Sequence, residues 1–196
     1  MNQSPVPQPT QWAPPPPPVD PRLPGGLVVA SMGKRIGAYI LDGIILAIAG
    51  FVVVAILSSV GLWISRVPDA TRPLDIEYNY PALLIDMVVG LAISGTYFIY
   101  LWTTRRATLG QGALGIQLGE AASGATLPMD AAIKRWIALG APISLLQVLA
   151  PLGAIYYVAT LVGLIWFIAL LVTTWNDPLH RGIHDKYAGS MVVATA

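Results

Sequence analysis

Four apolar blocks organise the chain, at residues 36–64, 82–102, 136–150 and 154–175, and polar segments containing proline or glycine divide them. About 20 apolar residues suffice for a helix to cross a bilayer. The first block exceeds that length and predicts a helix that tilts or protrudes. The second ends on Tyr97, Phe98, Tyr100 and Trp102, an aromatic cluster suited to a membrane–water interface. Pro142 and Gln147 interrupt the third block, which reads either as a short crossing or as a re-entrant or interfacial segment. Pro151, Leu152 and Gly153 predict a tight turn into the fourth.

The segments between the blocks carry their own signals. Residues 65–81 make a polar loop with prolines. In LGIQLGEAASGATL, two β-tolerant stretches flank Ser123-Gly124, which predicts a small hairpin. LPMDAAIKRW follows as a helix start, with Pro128 and Asp130 suited to a first turn and Lys134 and Arg135 at headgroup level. The last segment, WNDPLHRGIHDKYAGSMVVATA, predicts a polar turn, an interfacial helical piece and a short β-prone end. The first thirty residues hold ten of the seventeen prolines. That composition predicts a disordered stretch of polyproline-II character, read either as a docking tail for a proline-binding partner or as a solvated leader. No pattern of charged start, apolar core and small-residue cleavage site marks a signal peptide there.

Composition turns this pattern into a membrane protein. The chain is 55% hydrophobic and 11% charged, against about a quarter charged residues in an average soluble domain. Too little polar material is present to cover a water-soluble surface of this size. The expected fold class is all-α and integral to the membrane. Four transmembrane helices would carry a small cytoplasmic β-hairpin and interfacial helix insertion, with residues 1–31 as a disordered tail and 32–196 as the membrane domain. With both termini in the cytoplasm, Arg22, Lys34, Arg35, Arg105, Arg106, Lys134, Arg135, Arg181 and Lys186 lie inside. Only Arg66 and Arg72 lie outside, and nine against two is the bias that orients such proteins in the plasma membrane. With no cysteine, disulfides, thiolate nucleophiles and Cys-based metal sites are excluded. No nucleophile–base–orienter set, phosphate loop or nucleic-acid face is visible, so neither enzymatic activity nor a cofactor is expected.

A few charges fall where bilayer hydrocarbon disfavours them. Arg35 and Asp42, seven residues apart, share a helix face at a separation of roughly 10 Å along the axis. An aspartate at mid-helix opposes insertion by about 2.5–3.5 kcal/mol, while each Leu, Ile, Val or Phe contributes about −0.3 to −0.6 kcal/mol. The block around Asp42 offsets it. Ala38, Ile45 and Ala49 on the same stripe suit close helix contact, which turns Asp42 toward protein or a wet cavity. Arg35 should snorkel toward headgroups, so a better partner for Asp42 is a basic residue folding back, from among Arg135, Arg105, Arg106 and Arg181. Two readings stand: structural pairing, or handling of a proton or cation. Asp86, near the far end of the second block, reads as an interfacial carboxylate rather than a station on an ion path. His180 and His184 are spaced as metal ligands on a helix, but Gly182 lies between them and no zinc-protease glutamate follows. No metal is expected; a headgroup-level network of Arg181, His184, Asp185 and Lys186 is.

The same residues carry a likeness. Arg35 in KRIGAYILDGIIL, Asp42 in the same run and Asp185 in HRGIHDKYAGSMVV resemble the residues for which the RDD family of small bacterial membrane proteins is named, one arginine and two aspartates. TLGQGALGIQL is similar to the family's loop after its second span, and SGATLPMDAAIKRW to its turn-then-arginine segment, placing Arg135. The likeness covers about residues 31–195, and it departs at Gln111, where the family often has lysine. The leader resembles that of the proline-rich antigens of actinobacteria. What the resemblance implies is transport, with monovalent cation/proton exchange its most concrete form, and Arg35, Asp42 and Asp185 acting as a set. On that basis Asp185 would meet Arg35 or Arg135 at the cytoplasmic mouth of a cavity reaching Asp42. Four helices alone make a thin-walled path, which favours a homo-oligomer. The competing function is an anchor or scaffold whose tail and cytoplasmic loop recruit partners.

Overall fold

The computed structural model describes residues 26–72 and 74–195, with 142–144 as backbone only. The leader expected to be disordered lies outside the described residues, apart from its last few. Among the described residues, three helices are long and apolar enough to cross a membrane: α1 (Met32–Ser59), α2 (Tyr80–Thr104) and α5 (Ala154–Asn176). At about 1.5 Å per residue, the 28 residues of α1 extend roughly 42 Å, longer than the ~30 Å hydrocarbon thickness. It stops five residues before the apolar block does. Gly61 takes φ +82°, its N–H reaches Ser58 O, and the Leu62 N–H reaches Leu57 O. These are the two bonds that close a helix on a left-handed glycine.

Strands β1 (Ser65–Arg66) and β2 (Glu77–Tyr78) form a short antiparallel ribbon beyond this end. Both basic residues there are paired in the open: Arg66 with Glu77 at 2.8 Å, and Arg72 with Asp69 and Asp75. Asn79 caps α2 by accepting from Ala82 N. Near its other end, Thr96–Tyr100 widens into a π-helical turn. Two short elements follow, α3 (Leu109–Ala113) and β3 (Ile116–Glu120), and then α4 (Met129–Leu139). Helix α4 starts after Pro128 with Asp130 in its first turn, where the helix dipole favours an acid.

The third apolar block divides. Gly140, at φ +120°, ends α4. The chain continues as a 3-10 helix over Ala141–Leu152 and turns at Gly153 (φ +56°) into α5. Proline near the start and Pro151 within remove N–H donors that an α-helix would need. The 3-10 segment packs against α2 and α5.

The local hairpin expected around Ser123-Gly124 does not form. Its turn is present, with the Glu120 N–H bonded to Ala125 O and the Gly124 N–H to Glu120 O. Strand β3, however, pairs antiparallel with β4 (Ser190–Ala194) from the far C-terminus, in the register Leu118 opposite Val192. The stretch after the turn runs into Pro128, whereas SMVVA supplies β-branched residues and complete donors. Val29 bridges Val193 on the other edge of β4.

The core is not in the middle of the bundle. It gathers where α1 begins and α2 and α5 end, around Ala38, Trp102, Ile116, Leu118, Leu127, Ala132 and Val192. The spans keep apolar side chains outward, such as Ile48 and Phe51 on α1 and Val162 and Ile165 on α5, as a lipid-facing surface requires. Replacing Leu118 by alanine should lower stability by about 2–5 kcal/mol, while Ile165→Ala should change it by under ~1 kcal/mol. Thermal unfolding in detergent micelles reads both.

Candidate functional site

Two buried carboxylates organise this end of the molecule. Asp42 lies 10 residues into α1 on the stripe that also buries Arg35 and Ala38, and it is 1% exposed. It accepts three hydrogen bonds, from Tyr97 Oη (2.6 Å), Thr108 Oγ1 (2.6 Å) and Gly110 N (2.8 Å). Tyr97 sits on the π-helical turn of α2, and the other two donors belong to the start of α3. All three are oriented by their surroundings. Thr108 and Gln111 form a reciprocal capping box. Gln111 Oε1 also accepts from Trp102 Nε1 at 3.2 Å, and Tyr97 Oη accepts from Leu109 N at 3.3 Å. Gly110 permits the approach: a Cβ there would lie 2.4 Å from Ala38 O and 2.7 Å from Asp42 Oδ1.

Asp185, on α6 (Ile183–Ala188), occupies the second site and is fully buried. Arg35 Nη1 donates to its Oδ2 at 3.2 Å, and Arg135 of α4 pairs with its Oδ1. Ser190 Oγ donates to Oδ1 at 3.0 Å and accepts from Arg135 Nη1 at 2.8 Å. Both guanidiniums reach further. Arg35 donates to Ala30 O (3.2 Å) and Val192 O (2.9 Å), and Arg135 donates to Tyr39 Oη (3.1 Å). The Arg135 guanidinium carbon also stands 5.2 Å from the Trp102 ring centroid, within cation–π range. Burial, followed by the charges of Arg135 and Arg35, pushes the His184 imidazole well below its usual range.

Arg35, Arg135, His184 and Asp185 therefore meet in one cluster, while Asp42 forms a separate one on the same helix. Lys186 turns away to Asp177, at 2.6 Å. Burial pushes Asp177 up, but Lys186 and the N–H groups of Arg181 and Leu179 outweigh it and hold the carboxyl below the usual range. Arg181 contributes only that backbone bond, and its Nε is buried without a partner among the described residues. His180 lies before α6 at φ +51°, outside any helix shared with His184. Asp86 sits half-buried near the opposite end of α2, eleven residues or roughly 17 Å along the helix from Tyr97.

Sequence reasoning did not pick out Tyr39, Thr108, Gly110 or Ser190, and it read Tyr97 only as an interfacial aromatic. One signal was present: Thr108 followed by Gln111 three residues later is a capping-box pattern. The hydroxyl donors have no such mark, because their roles depend on which helix lies opposite.

Gly112, with open space beside it, gives a control for the close approach at Gly110. Gly110→Ala should destabilise by about 1–3 kcal/mol through overpacking, whereas Gly112→Ala, which has nothing within 4 Å of the added carbon, should be neutral or mildly stabilising; melting curves compare them. His184 makes a pH-dependent contribution of known sign. Its pKa is lower in the folded state than the ~6.5 of the unfolded chain, so the unfolded state binds the extra proton. Stability should fall as pH drops below about 6.5, by up to about 1.4 kcal/mol per pH unit. A His184→Gln variant should lose that slope in melts between pH 7 and 5.

No curated protein and no solved structure matches the chain. A family model does, over residues 29–189, and its description is the RDD family. With the match covering most of the sequence, including Arg35, Asp42, Arg135 and Asp185, the chain belongs to the RDD family and is a membrane protein built on apolar spanning helices.

Proposed function

We propose that this protein transports a monovalent cation in exchange for protons, with Asp42 as the proton-responsive group. The observation that carries this reading is the buried carboxylate of Asp42 within a spanning helix, closed over, among the described residues, by donors from α2 and α3. An ionised carboxylate accepts from all three. A protonated one has to turn one contact round: with the proton on Oδ2, the Thr108 hydroxyl must rotate and accept, while the Tyr97 and Gly110 bonds end on an uncharged, weaker acceptor at Oδ1. Protonation therefore loosens α3 from α1. That links a proton to the position of the loop beside the helix mouth.

The remaining geometry of the proposal follows from charge and length. Nine basic residues against two put the charged end and both termini in the cytoplasm of a plasma-membrane protein. The 3-10 segment, 12 residues at about 2.0 Å each, extends roughly 24 Å, and only together with the end of α4 does it cover the ~30 Å of a third crossing out of four. Pairing of two copies would thicken the wall of the path.

A second reading has its own support. Every oxygen of both buried carboxylates has a hydrogen-bonded or ionic partner, as expected where charges only fix packing. The protein is then an anchor whose tail recruits a proline-binding partner.

Proteoliposomes loaded with a pH gradient and challenged with lithium, sodium and potassium separate the two. Transport predicts cation-triggered dissipation that falls at least tenfold in Asp42→Asn reconstituted at equal folded amounts. Unchanged flux in that variant defeats the proton-coupled mechanism. Absence of flux for the native chain, together with loss of cellular function on deleting residues 1–30, favours the anchor.

A further inference from the structure

A cavity of about 570 Å³ lies between α1, α2, α5 and the 3-10 segment, within the size range of small-molecule sites. Its wall is mostly apolar, with Phe98 and Leu171 among the lining residues, and Arg35 and His184 stand at its polar end. The surrounding helices leave it open on one side. Helix α1 packs on α2, and the 3-10 segment packs on α2 and α5, but α1 and α5 share no packed interface among the described residues. Ile40 of α1 and Phe167 of α5 both line the cavity, yet they are 58% and 49% exposed. They are the two lips of a sideways opening, which in a chain of spanning helices faces acyl chains.

Depth suits an amphiphile. Arg35 belongs to the first turn of α1, at the charged end of the spans. From Thr174, near that end, to Phe167 is seven residues of α5, or roughly 10 Å. The cavity therefore occupies about a third of the ~30 Å hydrocarbon layer, beside the headgroups.

The polar end carries more positive charge than the chain itself offsets. Arg35 and Arg135 face one carboxylate, Asp185. His184, held well below its usual range by burial and the two arginines, is neutral, and Lys186 is matched by Asp177. One guanidinium charge is left over in this cluster, among groups taken out of water, which is costly without a counter-charge. Of the two arginines it is Arg35 that lines the cavity, and it uses three of its five N–H groups, on Ala30, Asp185 and Val192. The start of α1 adds to the same sign. Met32 lines the cavity too, the first turn holds no acidic residue, and the Ser31 side chain caps no N–H, so no side chain offsets the positive end of the helix dipole.

We propose that this cavity binds an anionic phospholipid of the surrounding bilayer, with one acyl chain between α1 and α5 and the phosphodiester beside Arg35. Basic pockets between spanning helices at headgroup depth take such lipids. The head arrives ionised, so no proton has to pass between ligand and protein. The second chain stays in the bilayer, outside the lips. A phosphatidylcholine brings a quaternary ammonium along with its phosphate and leaves the excess charge unmatched. The inference stands apart from ion exchange, since it uses neither Asp42 nor a flux.

The test is equilibrium binding of radiolabelled phosphatidylglycerol to the purified full-length chain in a neutral detergent. Saturable binding is expected, displaced by unlabelled phosphatidylglycerol and at least tenfold less well by phosphatidylcholine of the same chains or by palmitate. Leu171→Trp, which fills the cavity away from the charges, should weaken binding at least tenfold. Ile165→Trp, on the outward face of α5, should leave it unchanged. Equal displacement by phosphatidylcholine overturns the proposal, because the cleft then holds any acyl chain. Tighter displacement by palmitate assigns the site to a free carboxylate and also overturns it. Equal weakening in both variants marks loosely held boundary lipid and has the same force, as does wild-type binding in a folded Leu171→Trp. Should Leu171→Trp not fold, the anionic-against-zwitterionic comparison on the native chain still decides.

Discussion

The carboxylate of Asp185 between the guanidiniums of Arg35 and Arg135 is the contact on which the other arrangements depend. It joins the first turn of α1 to a helix 150 positions later and draws α4 onto both. Taking three charges out of water costs several kcal/mol per ion. The cost is met because each group has further partners: Ser190 on Asp185, backbone oxygens of Ala30 and Val192 on Arg35, and Tyr39 and the Trp102 face on Arg135. The same bonds hold β4 against the start of α1, and so complete the sheet with β3.

Asp42 solves a smaller problem in the same manner. A spanning helix and a polar connecting loop have little reason to adhere in a bilayer, where apolar contact with lipid is as favourable as contact with protein. One buried acceptor facing three donors gives a specific reason. The π-helical turn in α2 carries the donor Tyr97, and Gly110 removes the Cβ that would hold the loop off. Helix α1 meets α2 directly, and the 3-10 segment joins α2 to α5 farther along, with a cavity of about 570 Å³ left between them.

Some of this was readable along the chain. The lengths of α1, α2 and α5 follow from hydropathy, because each helix must satisfy its own backbone and cover ~30 Å. Arg35 and Asp42 share a face because seven residues make nearly two turns. Helix α4 announced itself by Pro128 and Asp130. The third apolar block was less legible: hydropathy reports that it is apolar, but proline and glycine decide that its backbone is 3-10.

What the sequence by itself determined is a membrane-embedded RDD chain, with its spanning segments, the apolar outward faces and the few charged residues too costly to leave in lipid. Those are one-dimensional properties, set by composition, period and length. The tertiary structure alone decided the partners. It sent β3 to β4 instead of to its neighbour, gave Asp42 hydroxyl and amide donors rather than an arginine, and placed Asp185 between two guanidiniums. Sequence cannot supply these because a buried charge is specified only by what faces it, and what faces it here comes from segments dozens to more than a hundred residues away.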